Sequence, residues 1–300
     1  MNYGDLIRDA FRITLRNRYL WFFGFFAGGV SLPSGPGNFN PQAGQGVPGD
    51  TGLIVSIVVV VVLIVLFVIF LALVSQGALA DSVAAIDRGE GRRFGSAFRS
   101  GLGNFWRVLG YYIVFLLVAL GLLVVIGIPV ALLIWGTFAA IQSEAVRVTV
   151  VATVGILTIL LLIVVFIPFY IIAQYALRDI VVSRERVLGS VGSGYGLLRH
   201  NLGRSLLIWL IQLGLSIGIG IAFILVIAIV ALVLFMPTIV LAVADSPRAL
   251  LVAAGAPALL IVPLLFLVVA GAIGTFSHAY WTLAYLRLAP GTPEATPRVA

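Results

Sequence analysis

The sequence contains no cysteine, no lysine and only two histidines, His200 and His278. Without cysteine, neither a disulfide framework nor a thiolate metal site can be built, and two histidines are too few for most metal centres. Charge is scarce as well, at 10% of residues, while 62% are hydrophobic. Apolar runs long enough to span a bilayer recur from Leu53 onward; a soluble domain cannot hide that much apolar surface, whereas a membrane can. The formal net charge of +7 would suggest nucleic acid in a soluble protein. Beside membrane spans, the nearer partner is the anionic lipid headgroup. No nucleic acid and no cofactor are expected.

Arginine placement orients the chain. All but Arg147 and Arg248 of the 18 basic residues lie in four polar intervals, 1–18, 76–107, 178–204 and the tail after Leu286. Arginine-rich loops stay cytoplasmic, so both termini are expected inside, in a bacterial inner membrane. The expected fold is an all-α transmembrane bundle of about six spans in three hairpins: 19–32 with 53–74, 109–126 with 148–175, and 206–235 with 259–286. The first span is short, roughly 21 Å of helix against about 30 Å of hydrocarbon. A re-entrant segment there would reverse every later crossing and carry the arginines outside. It is therefore read as a crossing, lengthened by Ile13 and Leu15 while Arg16 and Arg18 snorkel. The stretch 109–141 is too long, and Gly127-Ile128-Pro129 should break it, leaving 130–141 bent at the outer surface. Pro237, Pro257 and Pro263 predict similar breaks.

Arg16 and Arg18 ahead of an apolar stretch imitate a secretory signal, but the charged region before that stretch is long and holds Asp5 and Asp9. No small-x-small cleavage site follows, so cleavage is not expected. The segment 31–52, rich in Gly, Pro, Asn and Gln, reads as a flexible outer loop. The tail 289–300 reads as disordered, after a single transmembrane domain over 1–288.

That domain contains a repeat, with units of approximately 1–90, 91–188 and 189–288. Phe11 and Asn17, Phe98 and Asn104, and Tyr195 and Asn201 share one spacing, each pair ahead of an outward crossing. A small residue, Ala10, Ala97 or Gly194, precedes each aromatic. After the second span, Gln76-Gly-Ala-Leu-Ala-Asp81 matches Gln174-Tyr-Ala-Leu-Arg-Asp179 after the fourth; the sixth offers only His278 in a comparable place. Each hairpin is thus expected to begin with a cytoplasmic amphipathic helix. In the first, Asp5, Arg8, Asp9, Arg12 and Arg16 share one face, and Tyr3, Leu6, Ile7, Ala10 and Ile13 the other. Such a face can lie in lipid or dock against the bundle. The three asparagines are expected to hydrogen-bond the backbone at helix starts.

The stretch from Arg178-Asp-Ile-Val-Val-Ser-Arg-Glu-Arg186 through Tyr195-Gly-Leu-Leu-Arg-His-Asn201, followed by Leu206 and Leu207, resembles a segment shared by a broad group of bacterial multi-pass proteins. Trp21 and Gly24 after Leu20 are similar too. That group includes the membrane domain fused to glycerophosphodiester phosphodiesterases. The resemblance implies a helical membrane domain of unassigned activity over most of the chain, and no catalytic domain is expected within it.

Chemistry-bearing groups are sparse. No ionisable residue is expected near the centre of a span, the usual mark of ion-coupled transport; Asp81, Asp179 and Arg107 should reach water at span ends. No His-Glu-x-x-His pattern is present, and Ser277 with His278 is more simply a packing pair than a protease dyad. Gln212, Ser216, Gln174, Thr153, Thr158 and Thr275 are expected to bond between helices. Gly24 with Gly28, and Gly214, Gly218 and Ala222, form small-residue rows that suit helix packing or a homodimer seam. Arg184, Arg186, Arg199 and Arg204 are candidate headgroup contacts. The expected protein is a non-enzymatic scaffold for anionic lipids, for a second copy of itself or for another membrane protein, with a transporter or exporter of a lipidic or apolar small molecule as the alternative.

Overall fold

The computed structural model describes residues 2–28, 51–244 and 247–289, and among them the chain is helical without strands. In order come α1 (Tyr3–Arg16), α2 (Leu20–Ala27), α3 (Thr51–Asp87), α4 (Phe94–Ala140), α5 (Glu144–Arg178), a π-helical turn (Asp179–Ser183), α6 (Val187–His200), α7 (Leu202–Val243) and α8 (Arg248–Leu288). The expected loop 31–52 lies outside the described residues as far as Asp50, and so does the tail from Pro290.

The long helices are built largely from Val, Ile and Leu. Valine and isoleucine are indifferent helix formers in water, but in hydrocarbon every backbone N–H and C=O must be satisfied within its own segment, and the helix does that. Five stretches, Val55–Asp87, Phe94–Ala140, Glu144–Ser183, Leu202–Val243 and Arg248–Leu288, are long and apolar enough to cross a membrane. Their large side chains face outward over several turns: Leu63, Leu117 and Leu232 are 59%, 62% and 64% exposed. Exposed apolar surface on that scale needs a lipid environment, and the chain is a helical membrane protein.

Backbone contacts group the residues into two units, one drawn from Met1–Phe105 and Leu210–Arg287, the other chiefly Trp106–Trp209. The boundaries fall inside α4 and α7. In the first unit, Leu6 and Ala10 of α1, Leu20 and Phe23 of α2, Val74 to Ala85 of α3 and Ala279 to Leu286 of α8 supply the core. In the second, Val108, Tyr111 and Phe115 of α4, Ile171, Tyr175 and Ile180, and Leu198 of α6 are buried. Burial is thus concentrated where the repeated motifs lie.

Two expectations are corrected. Pro129 does not break its helix, nor do Pro237, Pro257 and Pro263; all lie inside continuous helices. A proline forfeits one backbone hydrogen bond, whereas ending a helix leaves up to four carbonyls and four amides without partners. In hydrocarbon the single loss is the smaller cost, so 130–140 continues α4. The second hairpin also lacks a separate entry helix, because α4 runs unbroken through Asn104. Gly101 and Asn104 lie one turn apart on the face towards Gly77 of α3, whose Cβ position is 3.3 Å from Asn104 Cβ and 3.6 Å from Gly101 Cα. Finally, α2 has 8 residues, about 12 Å of helix. The six-span count therefore depends, at its first crossing, on residues beyond those described.

Candidate functional site

The three asparagines make one kind of bond. Asn17 Nδ2 donates to the Ile13 carbonyl at 2.9 Å, Asn104 Nδ2 to Ser100 at 3.0 Å and Asn201 Nδ2 to Leu197 at 3.3 Å. These carbonyls lie four residues back, so the expectation of bonding at helix starts is corrected: Asn17 and Asn201 cap the ends of α1 and α6. An amide NH2 is a donor, and the last turn of a helix is where unsatisfied acceptors are found. The small residue before each aromatic is buried. Ala10 and Ala97 are 0% exposed, and the Cβ position of Gly194 is 3.1 Å from the Ile172 carbonyl. The aromatics differ: Phe11 meets Phe276 of α8 at 4.4 Å, Phe98 stacks with Phe94 at 6.3 Å, and Tyr195 is exposed.

The two exit motifs tie each helix to the segment that follows. Asp81 pairs with Arg92 at 3.0 Å, and Asp179 accepts from Ser193 Oγ of α6 at 2.5 Å. Arg287 at the end of α8 pairs with Asp9 of α1. Together with buried Leu6 and Ala10, that pair docks α1 on protein, which decides between the two readings of its apolar face. Asp179 is corrected from water-reaching to buried, at 6% exposed. Between α3 and α4, the Arg88 hydrogen bond at 2.9 Å holds the Glu90 carboxyl below its ordinary range.

In the first unit, α2 and α8 cross at contact distance through glycine. A Cβ on Gly24 or Gly271 would strike the backbone of the opposite helix, and Gly28 lies against Gly274 Cα. Thr275 Oγ1 lies 2.9 Å from the Leu20 carbonyl and 2.8 Å from that of Gly271. The Ala27 carbonyl, at the end of α2, accepts from Gln76 Nε2 at 2.9 Å and faces His278 Nε2 at 3.3 Å. Gln212 of α7 donates to Ser277 Oγ at 3.0 Å and lies 3.3 Å from Ser216 Oγ. The expected interhelical bonding is thus realised at Thr275 and Gln212, Gln76 adds a bond that was not expected, and Gln174 accepts from Arg178 within α5. Thr153 and Thr158 instead bond the carbonyls four residues back in α5.

The second unit holds a buried cation and an open cavity. Arg178 is 1% exposed; its Nη1 donates to the Gln174 carbonyl at 2.9 Å and to Gln174 Oε1 at 2.5 Å. Tyr111, Tyr170 and Tyr112 are close enough to interact with it electrostatically, and Tyr111 donates to the Ala173 carbonyl at 2.8 Å. The π-helical turn Asp179–Ser183 is followed by Arg184 at its C-cap, whose φ of 58° is left-handed, a conformation that costs a non-glycine residue energy. The same unit holds a cavity of about 220 Å³ lined by Val114, Phe115 and Val118 of α4 and Phe169 and Ile172 of α5. Val191 and Tyr195 of α6 complete the lining. Arg184, Arg186, Arg199 and Arg204 are exposed around α6, and no ion pair among the described residues engages them.

The model of the Family of unknown function (DUF7544) matches residues 19–290. The chain belongs to that family. No curated protein and no solved structure matches it. In this DUF7544 member, the arginines, Tyr195 and Asn201 are brought together around one helix of the second unit. Phe11, Asn17, Phe98, Asn104, Gln76 and Asp81 lie in the first. Sequence reasoning missed buried Arg178 by placing it with the polar interval after α5. The readable signal was three tyrosines, Tyr111, Tyr112 and Tyr170, set in otherwise apolar runs.

Proposed function

We propose that this DUF7544 protein is a non-enzymatic scaffold of a bacterial inner membrane, with both termini cytoplasmic, holding anionic lipids or membrane partners at its cytoplasmic face. One observation supports this most: Arg184, Arg186, Arg199 and Arg204 are exposed around α6 with no ion pair among the described residues. Each guanidinium beside an anionic leaflet is worth about 1 kcal/mol. The three-hairpin repeat and the resemblance to membrane domains of glycerophosphodiester phosphodiesterases accord with a lipid-facing role. Ser277 and His278 serve as helix contacts in this reading, since Ser277 accepts from Gln212 and His278 faces the Ala27 carbonyl.

Transport or export of a lipidic or apolar small molecule is the second reading, favoured by the open cavity. Purified protein in sealed vesicles separates the two. The scaffold produces no protein-dependent flux of lipid or apolar dye, and selective, saturable flux would overturn it.

A further inference from the structure

The cavity of the second unit differs from the lipid-facing surface around it because it is concave and three helices line it. At about 220 Å³ it is smaller than the roughly 300–1,000 Å³ typical of small-molecule pockets. Its lining surface is wholly apolar, hydrocarbon and aromatic ring, with the Tyr195 side chain at its edge on α6 contributing no polar surface. A chain-like apolar group fits such a cleft, whereas a polar metabolite would lose its hydration there without compensation.

Charge decides what that apolar group is attached to. Val191, Tyr195 and Arg199 follow one another at intervals of four along α6, so they share a face. That face passes from hydrocarbon, through a phenol, to an exposed guanidinium at the last turn. His200 is beside it, its Nδ1 2.8 Å from the Gly196 carbonyl. The sequence hydrocarbon, phenol, cation mirrors that of acyl chain, ester and phosphate in a phospholipid, and guanidinium pairs with phosphate more strongly than neutral donors do. The helix itself is held in place, through Gly194 against Ile172 and Ser193 on Asp179. We infer that this cleft binds one acyl chain of a single phospholipid with a net anionic headgroup, its phosphate at Arg199. The inference deepens the lipid-scaffold reading and rests on it for the depth of α6 in the membrane.

The test uses the full chain in vesicles of equal parts phosphatidylglycerol and phosphatidylcholine, extracted gently and weighed intact by native mass spectrometry. The wild type should keep one phosphatidylglycerol. Val191→Phe and Val118→Trp fill the cleft from different helices, and each should lose the retained lipid. Arg199→Gln should keep a lipid but lower the preference for phosphatidylglycerol about fivefold. Thermal unfolding of each variant checks that it is folded. Unchanged lipid retention in a folded cleft-filled variant overturns the acyl site. Equal retention of both lipids by the wild type, or an unaltered preference in Arg199→Gln, overturns the headgroup assignment. Vesicle flux would sink the scaffold reading while leaving the bound lipid in place, so the two failures are distinguishable.

Discussion

Glycine has opposite roles at different positions in this chain. At Gly24 a side chain has nowhere to go, because the Gly271 carbonyl and Thr275 occupy the space. Gly24→Leu should therefore cost about 1–3 kcal/mol, seen as a lowered unfolding temperature in detergent. At Gly218 an added Cβ meets nothing within 4 Å. Gly218→Ala should leave stability unchanged or raise it by up to about 1 kcal/mol through helix propensity, and a clear loss would show that a partner occupies that face. Arg178 is fully enclosed, so Arg178→Ala leaves a void and should cost about 2–5 kcal/mol, measured by the same unfolding. Glu90 titrates in the open: its folded-state pKa is depressed by Arg88. The Arg88 contact is therefore present at neutral pH and is lost as pH falls through that lowered value, which an NMR titration of the Glu90 carboxyl would follow.

At the scale of elements, the recurring device is an asparagine donating to the carbonyl four residues back. At Asn17 and Asn201 it ends a helix, and at Asn104 the helix continues. Asn201→Ala should cost about 0.5–1.5 kcal/mol and show as faster amide exchange in the last turn of α6. The aromatic-x5-Asn spacing was legible in the sequence. What the asparagine does there was not, because a side-chain amide can bond a helix at either end and only the backbone path selects one. The prolines misled for a related reason: their cost was read as in water, where a helix end finds solvent partners.

For the whole molecule, the proposed orientation rests on arginine distribution. If the termini are cytoplasmic, reporters fused after Asp87 and after Ser190 should register inside and one near Gln42 outside. A cytoplasmic signal at Gln42 would refute the six-span topology.

The sequence by itself determined the class of this protein: 62% hydrophobic residues in bilayer-length runs leave few solvents but lipid, and helix is the structure that closes its own hydrogen bonds there. It also carried the repeated motifs, since spacing survives without coordinates. Only the tertiary structure decided which surfaces those motifs meet. Apolar periodicity in a membrane chain is the same whether a face touches lipid or protein, so α1 could be assigned to α8 only through Asp9 with Arg287 and Phe11 with Phe276. Likewise the cleft lined by Tyr195 arises where the consecutive helices α4, α5 and α6 converge, and no local pattern records the space left between them.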